Sequence, residues 1–286
     1  MNRIIGMVCV LSMLLVTSFT EDRKGAAEEH SMIFVPGGTF QHPSFSQSGT
    51  GLERAVEVPS FYIGAYEVTQ EEWNEVYEDN PSAFRGKGLP VEGVSWYAAV
   101  EYCNKRSLLE GLEPYYVIHP QDQDSENHNP NDPLQWSVTI QPEANGYRLP
   151  TVLEWEYAAS GGAGSLGFRY SGSHNLNEVA WYWRNSGTRY LTGDWSWPLI
   201  ENNNSQTRPV GSKLPNELGI YDMSGNVREW VQDWMADEGT PQGVYRIVKG
   251  GGWIGDLGSH SIEFRGKFEP SGFGPDQGFR VARSRL

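Results

Sequence analysis

The sequence predicts an α+β domain that is rich in loops, with short mixed sheets and a few helices. Three observations point to this class. The 286 residues include 33 glycines and 17 prolines, which favour many turns over long helices. Helix-start signals and strand-like apolar runs both occur along the chain. The 11 Trp, 14 Tyr and 11 Phe provide enough ring area for one large core.

Three segments carry signals for the start of a helix. Thr69 is followed three residues later by Glu72, and Thr151 by Glu154, which is the spacing of a capping box. Ser95 precedes a stretch in which apolar residues recur with helical spacing, so it is a predicted N-cap. The sequence therefore predicts helices that begin after residues 69, 95 and 151.

Apolar and alternating runs predict strands. One covers residues 56–63, and two others, Tyr115–Ile118 and Trp136–Ile140, flank a polar loop. Three acidic residues alternate in that loop, but an EF-hand loop needs glycine at its sixth position and a bidentate acid at its twelfth. Asn127 and Pro133 occupy those positions, so we predict a solvated hairpin tip rather than a calcium site.

Four tryptophans lie in a stretch rich in Gly and Asn, residues 160–215, that has little periodicity. Large rings beneath long loops usually fill a core, and we predict that role in preference to stacking against a sugar. The four are Trp181, Trp183, Trp195 and Trp197.

The N-terminal residues predict export. Residues 1–20 combine a basic start at Arg3, an apolar stretch and an abrupt charged end, the pattern of a secretory signal peptide. Cys9 leaves lipidation, and hence membrane anchorage through the N-terminus, as an open alternative. Residues 21–31 are a predicted linker and residues 32–286 a single domain. We expect a protein that is secreted or displayed at the cell surface.

The formal net charge of −14 excludes one class of partner. Binding to nucleic acid depends on Lys and Arg side chains that neutralise phosphates. We therefore expect no nucleic-acid partner.

The cysteine count excludes an intrachain disulfide in the exported protein. The chain has two cysteines, Cys9 and Cys103, and removal of the signal peptide would leave one. Cys103 falls in a helical pattern, so we predict a small buried hydrophobe rather than a nucleophile.

Four motifs together resemble one protein family. Residues 147–159 read YRLPTVLEWEYAA, residues 219–230 read GIYDMSGNVREW, residues 249–253 read KGGGW and residues 278–283 read GFRVAR. In this order they resemble the formylglycine-generating-enzyme, or sulfatase-modifying-factor, family, whose domain is a variant of the C-type lectin fold. The resemblance extends over residues 32–284.

The resemblance implies specific cofactor and catalytic positions. Family members often bind calcium near the segment that matches Asn226 and Glu229, so a structural calcium ion is the one cofactor left open, beside a purely hydrogen-bonding role. Formylglycine formation uses two cysteines shortly after the Gly-Gly-Ser-Trp-like motif. Here those positions fall near Gly255 and His260, and no cysteine follows Trp253. Because oxygen chemistry at this site needs thiolates, we predict that the protein is not an enzyme.

The segment at residues 254–276 departs from the family enzymes, which are commonly rich in Asn there. This chain has no Asn after Asn226, although the flanking motifs persist. Flanking motifs that match the family, around a segment that does not, are similar to the pattern of the variable proteins of diversity-generating retroelements. Trp253 and Arg280 are expected to brace the fold around this variable segment. The predicted ligand-binding residues are Ile254, Gly255, Asp256, Leu257, Ser259, His260, Phe264, Phe268, Phe273 and Asp276.

These observations predict a non-catalytic, surface-displayed protein that binds an unknown protein or other surface ligand through residues 254–276. The alternative is a metal-dependent oxidoreductase of the same superfamily, with iron held by histidines and a carboxylate. The six histidines do not favour it, because no two are spaced for one face of a helix.

Overall fold

The computed structural model describes residues 32–42, 54–236 and 242–285. The predicted signal peptide and linker lie outside these ranges, and within them no helix has the length and apolar composition needed to cross a bilayer. The strands are β1 Met32–Val35, β2 Gly38–His42, β3 Arg54–Val58, β4 Phe61–Gly64, β5 Tyr116–Gln123, β6 Trp136–Ile140, β7 Arg228–Trp234, β8 Arg246–Lys249, β9 Gly266–Phe268, β10 Gln277–Phe279 and β11 Ala282–Ser284. The helices are α1 Gln70–Val76, α2 Trp96–Leu109, α3 Val152–Ala159, α4 Leu176–Val179 and α5 Trp197–Glu201, with a 3₁₀ turn at Gly162–Gly164.

The first three helices begin where the sequence predicts. Thr69 and Thr151 each complete a capping box, with Glu72 and Glu154 respectively. The Ser95 hydroxyl accepts a hydrogen bond from an amide in the first turn of α2. These caps satisfy amides that have no partner within the helix, so the position of each helix start is fixed by its own sequence.

The described strands form four small sheets. In the first, β11 pairs with β4 and β4 with β1, which joins the two ends of the described chain. The second has the order β10-β7-β8-β9 and is mixed, because β10 runs parallel to β7 while the other pairs are antiparallel. The hairpins β2–β3 and β5–β6 complete the set. The α+β prediction with short mixed sheets is confirmed.

Three hydrophobic clusters fill the interior formed by the described residues. The first packs α1 and α2 against the mixed sheet, with the Trp73 and Tyr102 rings stacked 5.4 Å apart. Cys103 is fully buried in this cluster, as predicted, and burial raises the pKa of its thiol. The second packs α3 against β1, β3 and β4, and the third lies beneath the long loops and includes Trp253. Trp230 and Val248 of the mixed sheet lie in the first cluster and Val231 and Ile247 in the second, so both faces of this sheet are packed.

The polar loop between β5 and β6 lies at the tip of a hairpin and most of its side chains are exposed, as predicted, but part of it is buried. It folds back on the domain and buries Asn129 and Asp132. The Tyr97 hydroxyl donates to Asp132 Oδ2 at 2.8 Å, and the Asn129 amide donates to the Val244 carbonyl at 2.6 Å. Polar side chains order this loop because they satisfy one another and the backbone, which hydropathy does not reveal.

Candidate ligand-binding site

A glycine turn at residues 250–252 forms the base of the predicted site. Its φ angles are +83°, +85° and +68°, a region in which residues with side chains are strained. At Gly251 a Cβ atom would also lie 2.7 Å from the Ser259 carbonyl oxygen. The turn leads from β8 into Trp253, whose indole Nε1 donates to the Pro275 carbonyl at 2.8 Å. Trp253 therefore brings the two ends of the variable segment together.

A buried polar network braces the frame behind the turn. Arg280 donates through Nε and Nη2 to the two carboxylate oxygens of Glu229, both at 2.7 Å, and the Trp155 indole donates to Glu229 Oε2 at 2.7 Å. The Asn226 amide donates to Glu67 Oε2 at 2.7 Å. A calcium ion at Glu229 would have to displace a buried guanidinium. The structural calcium ion stays a prediction, and these contacts favour the hydrogen-bonding role instead.

A single buried carboxylate ties the variable segment to α3. Glu156 accepts from Lys249 Nζ at 2.9 Å and from Nε and Nη2 of Arg265, both at 2.8 Å. Lys249 Nζ also donates to the carbonyls of Ile262 and Phe264. Burial lowers the pKa of Lys249 to about 8, and the charge of Glu156 opposes that shift. The middle of the segment is thus anchored from below by one ion network.

A pocket of about 680 Å³ opens above these anchors. It is lined by parts of β8, by the glycine turn and by residues of the variable segment, including residues of β9. At its edge, Arg228 Nη2 pairs with Asp276 Oδ1 at 2.7 Å. The exposed Lys267 and Asp256 add one charge of each sign. Six of the ten predicted binding residues line the pocket: Ile254, Gly255, Asp256, Ser259, Phe264 and Asp276.

Three other predicted residues lie outside the pocket lining. Leu257 and Phe273 are 45% and 70% exposed, so both are accessible to a large partner. Phe268 is partly buried, with its ring 6.1 Å from that of Trp230 in the core, and it is not an exposed anchor. Its ring packs against the first hydrophobic cluster and so helps to hold β9 in the mixed sheet.

The prediction that His260 is a ligand-binding residue is wrong, because the side chain is not accessible to a ligand. Its side chain is fully buried, and its ring nitrogens face the carbonyls of Asp256 and Gly252. Burial lowers the pKa of His260. The imidazole therefore holds the first loop of the variable segment from within, a role that its position in a polar stretch did not indicate.

Two exposed tryptophans at the site belong to the four that the sequence predicts to fill the core. Trp195 lines the pocket, is 47% exposed and donates from its indole to the Ile254 carbonyl at 2.8 Å. Trp197 is 42% exposed, with its ring 6.4 Å from that of Trp253. The core prediction holds for Trp183 and is wrong for these two. Without periodicity, no sequence signal separated the exposed rings from the buried one.

The side chains at the site do not fit the thiolate chemistry of the family enzymes. Cys103, the cysteine within the described ranges, is buried in α2 and does not line the pocket. Gly255 and the buried His260 cannot supply a thiolate pair. Among the described residues, no three His, Cys, Asp or Glu side chains are grouped to hold a metal ion. What the pocket offers is an aromatic and charged lining on a rigid floor.

Small mixed sheets, a few capped helices and a C-terminal loop site on a buried polar frame define a C-type-lectin-like domain of the sulfatase-modifying type. The chain belongs to the family described as the sulfatase-modifying factor enzyme 1-like domain, whose model matches residues 18–285. The family resemblance read from the motifs is confirmed.

Relatives in this family carry different functional names. Chaperone protein LppX of Paenibacillus barcinonensis is 55% identical over 254 residues, 89% of each chain. The solved structure of Treponema denticola variable protein 1 superimposes with a TM-score of 0.70 at 31% identity, over 88% of this chain and 94% of that one. The formylglycine-generating enzyme of Bos taurus is 27% identical over 303 residues, 89% of this chain and 75% of the enzyme. Family membership therefore gives the fold, and the function must come from the site.

Proposed function

We propose that this chain is an exported, non-catalytic binding protein whose recognition site is the pocket formed by residues 254–276 together with Trp195. The observation that carries the proposal is that the residues beneath the pocket are buried, whereas the residues that line it are accessible. Glu156, Glu229 and Arg280 are fully buried and hydrogen-bonded, whereas the residues above them face an open pocket. A rigid frame that carries accessible loops is the arrangement of a binding surface.

The rim of the pocket supplies the kind of contact that dominates recognition. Trp195 and Phe264 line the pocket and are 47% and 42% exposed, and Phe273 nearby in sequence is 70% exposed. Aromatic anchors surrounded by polar groups provide most of the binding energy in typical interfaces. The partner is accordingly a protein or another surface ligand with an apolar group that enters the pocket.

Exposed positions of the variable segment can accept substitutions at little cost in stability, as a diversified site requires. Asp256, Leu257, Phe264 and Phe273 are exposed, so substitution there removes little buried surface. The 31% identical variable protein supports this part of the proposal. It predicts a near-copy of the last coding stretch beside a reverse transcriptase gene, differing mainly at adenines. If the genome holds no such copy, the diversification claim falls while the binding claim stands.

A second candidate function is chaperoning of unfolded chains, favoured by the 55% identity to a protein named a chaperone. Both functions would use the same aromatic rim. They differ in the partner, because a chaperone binds many unfolded chains, whereas a recognition protein binds one folded or peptide ligand.

The experiment measures binding of the labelled protein to an array of immobilised random peptides and to native and reduced α-lactalbumin. Three proteins are compared: the wild type, Trp195→Ala combined with Phe264→Ala, and the control Leu108→Ala. Leu108 is 64% exposed on α2, so its loss creates no cavity. We expect a restricted set of peptides to bind the wild type and the control, and the double variant to lose roughly tenfold or more in affinity.

Three outcomes decide between the functions. Equal binding by the wild type and the double variant overturns the assignment of the pocket. Binding of reduced but not native α-lactalbumin, together with most of the array, assigns the chaperone function instead. Turnover of a cysteine-containing peptide to an oxidised product, followed by mass spectrometry with copper and oxygen supplied, overturns the non-catalytic assignment.

A further inference from the structure

A second pocket lies at the end of β8 where Arg246 pairs with Phe268, next to the C-terminal end of β7. Its volume is about 560 Å³, and it is enclosed by the folded-back loop at residues 123–126, by β6 and by the C-terminal end of β7. Arg246, the first residue of β8, lines it. None of the predicted binding residues contributes to this pocket.

Arg246 is a buried cation that forms no ion pair with a carboxylate of the described residues, although the charges of Asp124 and Asp233 act on it from a greater distance. The side chain is 7% exposed, and its guanidinium carbon lies 3.7 Å from the ring centre of Trp96 and 3.7 Å from that of Trp234. Its one hydrogen bond to the described residues runs from Nη1 to the Gln232 carbonyl, at 2.7 Å. The Nε atom is buried and has no hydrogen-bond partner among the described residues. The two indole rings hold the guanidinium in place but satisfy none of its N–H groups.

Other buried cations of the domain are paired. Arg148 pairs with Glu154, Lys249 with Glu156 and Arg280 with Glu229, each within 2.9 Å. A buried charge is costly unless it is paired and hydrogen-bonded, so an unpaired arginine in the lining of a pocket is complementary to an external anion. Burial lowers the pKa of Arg246 to about 10, which leaves the guanidinium charged at neutral pH.

The remainder of the pocket limits which anion fits. Asp124, Glu126 and Asp233 also line it, so a ligand that carried only negative charge would be repelled. Val138 and Ile140 provide apolar wall. A ligand that combines a carboxylate with an ammonium group and an apolar side chain matches all three features.

We propose that this pocket binds a small zwitterion of the amino-acid type, with its carboxylate on Arg246, its ammonium group towards the acidic residues and its side chain on β6. Although Arg246 pairs with Phe268 in the sheet, this pocket has no lining residue among the predicted ligand-binding residues of the variable segment, and the proposal does not depend on what that segment recognises.

The test is calorimetric titration of the full exported protein with L-leucine, L-isoleucine, L-methionine and L-phenylalanine at millimolar concentrations. Two analogues of leucine separate the charges: 4-methylpentanoate lacks the ammonium group, and 3-methylbutylamine lacks the carboxylate. We expect at least one of the four amino acids to bind, with neither analogue matching leucine.

Two variants locate the binding. Arg246→Gln removes the charge, and Ser137→Trp fills the pocket from β6 without altering Arg246. Each should weaken binding roughly tenfold or more, whereas the exposed control Leu108→Ala should bind as the wild type does. If Arg246→Gln does not fold, Ser137→Trp alone decides.

The proposal is overturned if none of the four amino acids binds, or if binding persists in Ser137→Trp. It is also overturned if 4-methylpentanoate binds as tightly as leucine, because the acidic side of the pocket would then play no part.

Discussion

Asp222 offers a direct test of the buried frame. Its side chain is 2% exposed, and its backbone has a φ of +56°. Oδ2 accepts a hydrogen bond from the Gly211 amide at 2.7 Å, while Oδ1 has no hydrogen-bond partner among the described residues. Burial raises the pKa of Asp222 to about 6, and the neighbouring charge of Glu229 acts in the same direction. The ionised carboxylate therefore destabilises the folded state.

Asp222→Asn should stabilise the protein at neutral pH. Asparagine keeps an acceptor for the Gly211 amide and tolerates positive φ better than most residues. A rise in pKa from 3.8 to about 6 corresponds to at most about 3 kcal/mol. Below about pH 4 the carboxyl group is protonated in both the folded and the unfolded state, so the two proteins should be nearly equal. As the pH rises through about 6 the wild type loses this stability and the variant does not.

Urea unfolding at about pH 4 and about pH 7 measures both values. Asp222→Ala is the contrasting variant, since it removes the acceptor and strains the positive φ, and it should be less stable at both pH values. Asp194→Asn, at an exposed position, controls for the loss of one charge. The reasoning fails if Asp222→Asn is less stable than the wild type at neutral pH, or if the difference between them does not change with pH.

Three further predictions concern the core and the anchors. Glu156→Gln removes the carboxylate that pairs with Lys249 and Arg265, so the free energy of unfolding measured in urea should fall by roughly 3–5 kcal/mol. A loss no larger than that of the exposed control Leu108→Ala would contradict the buried ion network. Thr151→Ala removes the cap of α3 and should cost about 1 kcal/mol in the same assay, with Thr151→Ser as the control that retains it. Since burial raises the pKa of the Cys103 thiol, iodoacetamide should label it only after unfolding; rapid labelling of the native protein would show that the core around α2 is open.

The local elements were predictable because their signals are local. The caps at Thr69, Ser95 and Thr151 depend on residues within one helical turn, and all three are confirmed. The burial of Cys103 followed from helical spacing in the same way. The family frame was recognisable because glycines and tryptophans at fixed intervals leave a pattern in the sequence itself.

The site was predictable only in part, because exposure is a property of the assembled fold. His260 and Phe264 lie four residues apart in the same polar stretch, yet the first is fully buried and the second is 42% exposed. Trp183 and Trp195 are likewise alike in sequence context, and one fills the core while the other lines the pocket. Which ring faces the solvent depends on partners that are distant in sequence.

By itself the sequence determined the fold class, the family, the helix starts and the absence of cysteine after Trp253, since each can be read from residue types and short spacings. Among the described residues, the tertiary structure alone decided which side chains surround the pocket, which carboxylates pair with Lys249 and Arg280, and that none forms an ion pair with Arg246. Arg246 shows the difference most clearly. In the sequence it is one arginine at the start of a strand, and only the packing of two tryptophans around it leaves its charge unpaired. Pairing between charges depends on distances that chain order does not contain.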